Sequence, residues 1–81
     1  MTSVHNKLYI NLIAGLKQAR LNANLTQVEL AERLNKTQPY IAKIESCERR
    51  LDIAEFIEYA KALGEPPENL FKQILNQSLD K

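Results

Sequence analysis

Glu55 and Glu58 stand three residues apart. On one helical turn that spacing could set a general acid beside a general base. Nothing else in the chain completes such a centre. No glycine-rich phosphate loop, serine-nucleophile motif or metal-ligand spacing is present, so the two carboxylates read as a solvated acidic face. His5 is the single histidine and Cys47 the single cysteine. Together they fall short of a zinc site, and neither a metal nor another cofactor is expected. An enzyme is not expected either. The chemistry that the residue types do favour is attraction of an anion. Residues 1–50 hold eight Lys/Arg against four Asp/Glu, a net +4; residues 51–81 hold three against six, a net −3. One end of the domain therefore suits an anionic partner and the other repels it. A mixed, solvated surface is the plainer alternative.

The frame that carries these residues is small. The chain has 81 residues, 44% hydrophobic and 26% charged, with a formal charge of +1. That composition predicts one soluble globular domain over residues 1–81. No apolar run approaches the 18 residues or so of a membrane span, and no signal peptide is expected. One cysteine builds no intrachain disulfide, so the expected compartment is the cytoplasm.

Apolar spacings of three and four recur, and strand-like alternation is absent, which predicts an all-α fold of five short helices. Helix one carries Leu8, Leu12, Leu16 and Ala19 on one stripe, with Tyr9 and Ile13 beside it, and closes near Asn24. Thr26 and Glu29 form a capping box for helix two, and Asn35 suits a positive φ after it. Thr37 or Gln38 caps helix three, with Pro39 in its first turn. Asp52 and Glu55 form a second capping box, and helix four turns Ile53, Phe56, Ile57, Ala60 and Leu63 inward before Gly64. Pro66 and Pro67 open helix five. The core is expected over about residues 7–76.

Between residues 26 and 46 three features act together. Ala31 is small where two helices must approach closely, Asn35 turns the chain, and Ile41 and Ile44 pack the next helix back. This is helix-turn-helix patterning, in which the second helix can enter the DNA major groove. The sequence resembles the Cro and phage-repressor family of Xre-type regulators from about Ile13 to Phe71. The resemblance is carried by Leu16, Arg20, Leu25-Thr26-Gln27, Glu29-Leu30-Ala31, Leu34, Gln38, Tyr40-Ile41, Lys43-Ile44-Glu45, Glu48-Arg49-Arg50 and Ala60 to Gly64. Three departures stand out. The family's turn glycine is Asn35, an often apolar position is Lys36, and a loop glycine is Cys47. A positive φ at Cys47 carries strain of about 1 kcal/mol; otherwise the loop differs from the family's.

The resemblance implies a compact five-helix, lambda-repressor-like DNA-binding domain, usually a symmetric homodimer on double-stranded DNA. It implies base reading by Gln38, Pro39, Ala42 and Lys43. It implies phosphate contacts by Gln27, Lys36, Thr37, Tyr40, Ser46, Arg49 and Arg50. It also implies a structural ion pair between Arg20 and Glu45. The apolar residues Ile53, Ile57, Leu70, Phe71, Ile74, Leu75 and Leu79 are candidates for a dimer interface, although Leu70, Phe71, Ile74 and Leu75 could all be core. The acidic back half is expected to lie away from DNA. A repressor on a pseudo-palindromic operator is the leading reading. The alternatives are an antitoxin or a protein-interaction module with partner-dependent DNA binding.

Overall fold

The computed structural model describes residues 6–79, with side chains through Gln77. His5 and the side chain of Leu79 lie outside the described parts. Among the described residues there are five helices and no strand. They are α1 (Lys7–Asn22), α2 (Gln27–Leu34), α3 (Gln38–Glu45), α4 (Ile53–Leu63) and α5 (Pro67–Leu79). Helix α1 packs on α3 and α5, α2 packs on α3 and α4, and α4 packs on α5.

Local chemistry sets the boundaries. The Asn6 side chain accepts from the Leu8 and Tyr9 N–H groups and starts α1. Both expected capping boxes form. Thr26 Oγ1 accepts from Glu29 N–H at 3.0 Å, and Glu29 Oε1 accepts from Thr26 N–H at 2.8 Å. Asp52 and Glu55 repeat the exchange at 2.7 and 2.9 Å. Thr37 holds the cap position of α3 by its backbone, but its side chain makes no capping bond.

One closure ends four helical runs. Asn24, Asn35, Cys47 and Gly64 all have positive φ, of 61°, 58°, 63° and 81°. The N–H of the residue after each returns to a carbonyl five positions back: Leu25 to Arg20, Lys36 to Ala31, Glu48 to Lys43, and Glu65 to Ala60. This satisfies carbonyls that a helix end leaves open. Cys47 therefore takes the strained conformation, and the loop after α3 keeps its closure without glycine.

The core is one cluster that includes Ile13, Leu16, Leu30, Ile41, Ile44, Tyr59, Leu70 and Ile74. Gly15 lets α5 approach α1, since a Cβ there would meet the Ile74 side chain at 3.1 Å. The Arg33 guanidinium donates to the Ala62 carbonyl at 2.8 Å and ties α2 to the last turn of α4.

One expected stripe is trimmed and another displaced. On α1, Leu16 and Ile13 are buried and Tyr9, Leu12 and Ala19 pack against the core, as expected, but Leu8 is exposed and Arg20 joins the buried line. On α4, Ile53 is 74% exposed and Ile57 39%, whereas Tyr59 is fully buried. The helix is turned toward Tyr59 because its hydroxyl has a partner inside, Glu45. Leu70 and Ile74 are core residues, which removes them from any association surface. Ile53, Ile57 and Phe71 stay exposed, and Leu75 is half-buried. Of these, Ile53 and Phe71 line an apolar groove of about 170 Å³, together with Tyr9, Leu12, Leu51 and Phe56.

Candidate nucleic-acid interface

Helix α3 has two faces. Ile41 and Ile44 are fully buried. Gln38, Pro39 and Lys43 are exposed and Ala42 is half-buried. At 100° per residue Gln38 and Ala42 fall in one row, with Pro39 and Lys43 beside them. The four residues expected to read bases therefore share the outer face of one short helix. Two isoleucines anchor that helix from behind.

Beneath this face runs a polar network. Arg20 is buried in α1 and meets Glu45, the last residue of α3, in a two-pronged ion pair. Its Nε donates to Oε2 at 2.7 Å and its Nη2 to Oε1 at 3.0 Å. Arg20 Nη1 donates to the Leu25 carbonyl at 2.6 Å. Glu45 Oε1 also accepts from Gln27 Nε2 at 3.0 Å, and Oε2 from the Tyr59 hydroxyl at 2.9 Å. The carboxylate thus accepts four hydrogen bonds, which fills its acceptor capacity. Burial pushes the Glu45 pKa up. The bonds from Arg20, Gln27 and Tyr59 outweigh burial and hold it below the ordinary carboxylate value. The same burial, next to the Glu45 charge, pushes the Tyr59 hydroxyl well above the usual tyrosine range, so it stays a donor.

The network reaches the outer face through Gln27. Glu45 is an acceptor only, so Gln27 must turn its amide nitrogen inward. Its carbonyl oxygen then faces outward and accepts from Gln38 Nε2 at 2.8 Å. The ion pair expected as a brace between α1 and α3 is present, and it also orients the first residue of α3. The Gln27 side chain, expected at a phosphate, is engaged in this bridge.

A second cluster surrounds Tyr40. The Lys36 ammonium lies 5.2 Å and the Arg49 guanidinium 4.8 Å from its ring centroid. Both are within cation–π range. The Tyr40 hydroxyl donates to Glu55 Oε2 at 3.2 Å. Arg49 grips Glu55 with two bonds, of 3.1 and 2.8 Å. Those bonds, against a smaller opposing effect of burial, hold the Glu55 pKa at about 2. Glu55 therefore departs from the solvated acidic face expected of it: it belongs with the basic residues. Arg50 lies over the Tyr9 ring at 5.8 Å. The Ser46 hydroxyl sits 3.3 Å from the Lys43 carbonyl and 2.8 Å from a Glu48 carboxylate oxygen. Thr37 is exposed.

Two working residues escaped the sequence reading. Tyr59 lies three after Phe56 on the inner stripe of α4, and a polar-tipped aromatic there was the available signal. Glu55 lies six after Arg49 across a loop, and no regular spacing links positions across an irregular loop. Among the described residues no group of three His, Cys, Asp or Glu could hold a metal ion. No helix among them is long and apolar enough to cross a membrane.

Five helices, a short second helix braced against a third, and a polar and basic outer face on that third helix define a helix-turn-helix DNA-binding domain. The helix-turn-helix family HTH_3 matches residues 16–70. A solved structure described as an XRE-family like protein from Pseudomonas syringae pv. tomato str. DC3000 is 39% identical. The match covers 89% of this chain and 88% of that one, with a TM-score of 0.80. A search of curated proteins finds no match. The chain belongs to the XRE-type helix-turn-helix family of DNA-binding regulators.

Proposed function

We propose that the protein is a sequence-specific transcriptional repressor. In this reading it acts in the cytoplasm as a homodimer on a pseudo-palindromic operator. The observation that carries the reading is the fixed orientation of Gln38. Its amide nitrogen has two hydrogens, and one is given to Gln27. That leaves one donor and the carbonyl acceptor, the pair that adenine N7 and N6 require. Pro39 and Ala42 then meet thymine methyl groups, and Lys43 reaches guanine or a phosphate. Lys36, Thr37, Tyr40, Ser46, Arg49 and Arg50 contact the backbone, with the first N–H groups of α2 in place of the Gln27 side chain.

The dimer surface in this proposal is the exposed part of the back half: Ile53, Ile57 and Phe71, with Leu75 at its edge. Two recognition helices about 34 Å apart then meet successive major grooves. If the dimer neutralises about eight phosphates, log K falls with log salt at a slope near −7.

The test is binding of Gln38→Ala and Lys43→Ala to a duplex selected from a random library. Gln38→Ala should cost about 1–3 kcal/mol per half-site and relax the preference at one base pair. Unchanged affinity in both variants would show that the outer face of α3 is not the reading face.

A further inference from the structure

Arg49 is held by more than its charge. A guanidinium has five N–H donors in a rigid fork. Nη1 donates to the Arg50 carbonyl at 2.8 Å and to Glu55 Oε1 at 3.1 Å, which uses both its hydrogens. Nη2 donates once, to Glu55 Oε2 at 2.8 Å. Two donors have no partner among the described residues: Nε–H and the second Nη2–H. They lie side by side on one edge of the plane, the same edge by which Arg20 holds both oxygens of Glu45. One face of the guanidinium lies against the Tyr40 ring. Its side chain is still 41% exposed.

We propose that Glu55 is a positioning residue for DNA-backbone contact: it grips the end of Arg49 and leaves the Nε–Nη2 edge as a free fork for two phosphate oxygens. The inference rests on the DNA-binding reading above and adds to it a residue from the acidic half of the chain. Glu55 is itself saturated. Oε1 accepts from the Asp52 N–H and Arg49, and Oε2 from the Tyr40 hydroxyl and Arg49. Its charge is therefore matched before DNA arrives, and a phosphate meets an arginine whose rotamer is already fixed. An unheld arginine must give up that freedom on binding. Arg49 and Lys36 flank the same ring, so the basic surface continues toward the turn that precedes α3.

The informative variant is Glu55→Gln. Glutamine also serves at this position of a capping box, so α4 keeps its start, while the ion pair is removed. Thermal melts confirm folding, and affinity for the selected duplex is measured across a salt series in four proteins: wild type, Glu55→Gln, Arg49→Ala and the double variant. Glu55→Gln should bind about three- to tenfold more weakly per half-site, the scale of ordering one arginine side chain. In the Arg49→Ala background that weakening should vanish, and binding should be unchanged or tighter, because Glu55 then carries a charge that no arginine matches. The salt slope of Glu55→Gln should become shallower by about 0.9 for each phosphate that the protein no longer neutralises. Tighter binding by Glu55→Gln would mean that Glu55 merely repels DNA and would overturn the proposal. An equal weakening in the Arg49→Ala background would overturn it as well. A wild-type chain that binds no duplex would refute the DNA reading itself and this inference with it.

Discussion

Tyr59→Phe removes one hydroxyl from the centre of the molecule and leaves the shape of the side chain intact. The residue is fully buried, and its hydroxyl donates to Glu45 Oε2 at 2.9 Å. A hydrogen bond to a charged group contributes about 1.5–3 kcal/mol. The low end applies here, because Oε2 keeps its bond from Arg20 Nε at 2.7 Å and is not orphaned. The variant should therefore lose about 1.5 kcal/mol. For a domain of this size each kcal/mol moves Tm by roughly 4–8 °C, so the melt should fall by about 6–12 °C. The assay is thermal and urea unfolding followed by far-ultraviolet circular dichroism at pH 7. Binding gives a second readout. Gln27 uses the other carboxylate oxygen, Oε1, so DNA affinity measured well below the melt should stay within about threefold of wild type. A phenylalanine variant as stable as wild type, or more so, would refute the claim that Tyr59 serves the network, since the residue would then be only apolar filling.

Arg20→Met should be far more damaging, by about 3–5 kcal/mol, because the Glu45 side chain is 3% exposed and would keep a charge with no cation beside it; urea unfolding measures the loss. Stability should also depend on acid. Glu45 and Glu55 have folded pKa values below their ordinary value of 4.5, Glu55 at about 2. Both therefore stabilise the fold fully above about pH 5, and the contribution drains away as pH falls toward 2; urea midpoints from pH 7 to 2 should decline through that window and stay flat above it. Gly64→Ala tests the helix closures. A Cβ there meets nothing within 4 Å, and φ is +81°, so the loss of about 1 kcal/mol in unfolding free energy comes from the backbone alone.

The parts of the fold legible in the sequence were those written in local chemistry. The Thr26/Glu29 and Asp52/Glu55 boxes, and the turns at Asn35 and Gly64, depend on residues within a few positions of one another. Such features form without reference to tertiary partners. The Arg20–Glu45 pair is different, because 25 residues separate its members. It was legible only through the family resemblance. The rotation of α4 was not legible at all. Ile53 and Ile57 fit an apolar stripe as well as Tyr59 does, and only the buried carboxylate of Glu45, on another helix, makes the tyrosine the inward choice. Glu55 was misread for a similar reason. Its capping role was visible, but the loop that brings Arg49 to its other side has no period from which that meeting could be read.

Selection of binders from a random duplex library at near-physiological salt tests the central claim most directly. The expected result is an enriched pseudo-palindrome with half-sites about one helical turn apart. Gln38→Ala should lose the preference at one position of each half-site. No enrichment, with only weak and salt-sensitive binding, would contradict that claim and leave a protein-binding or partner-dependent module in its place.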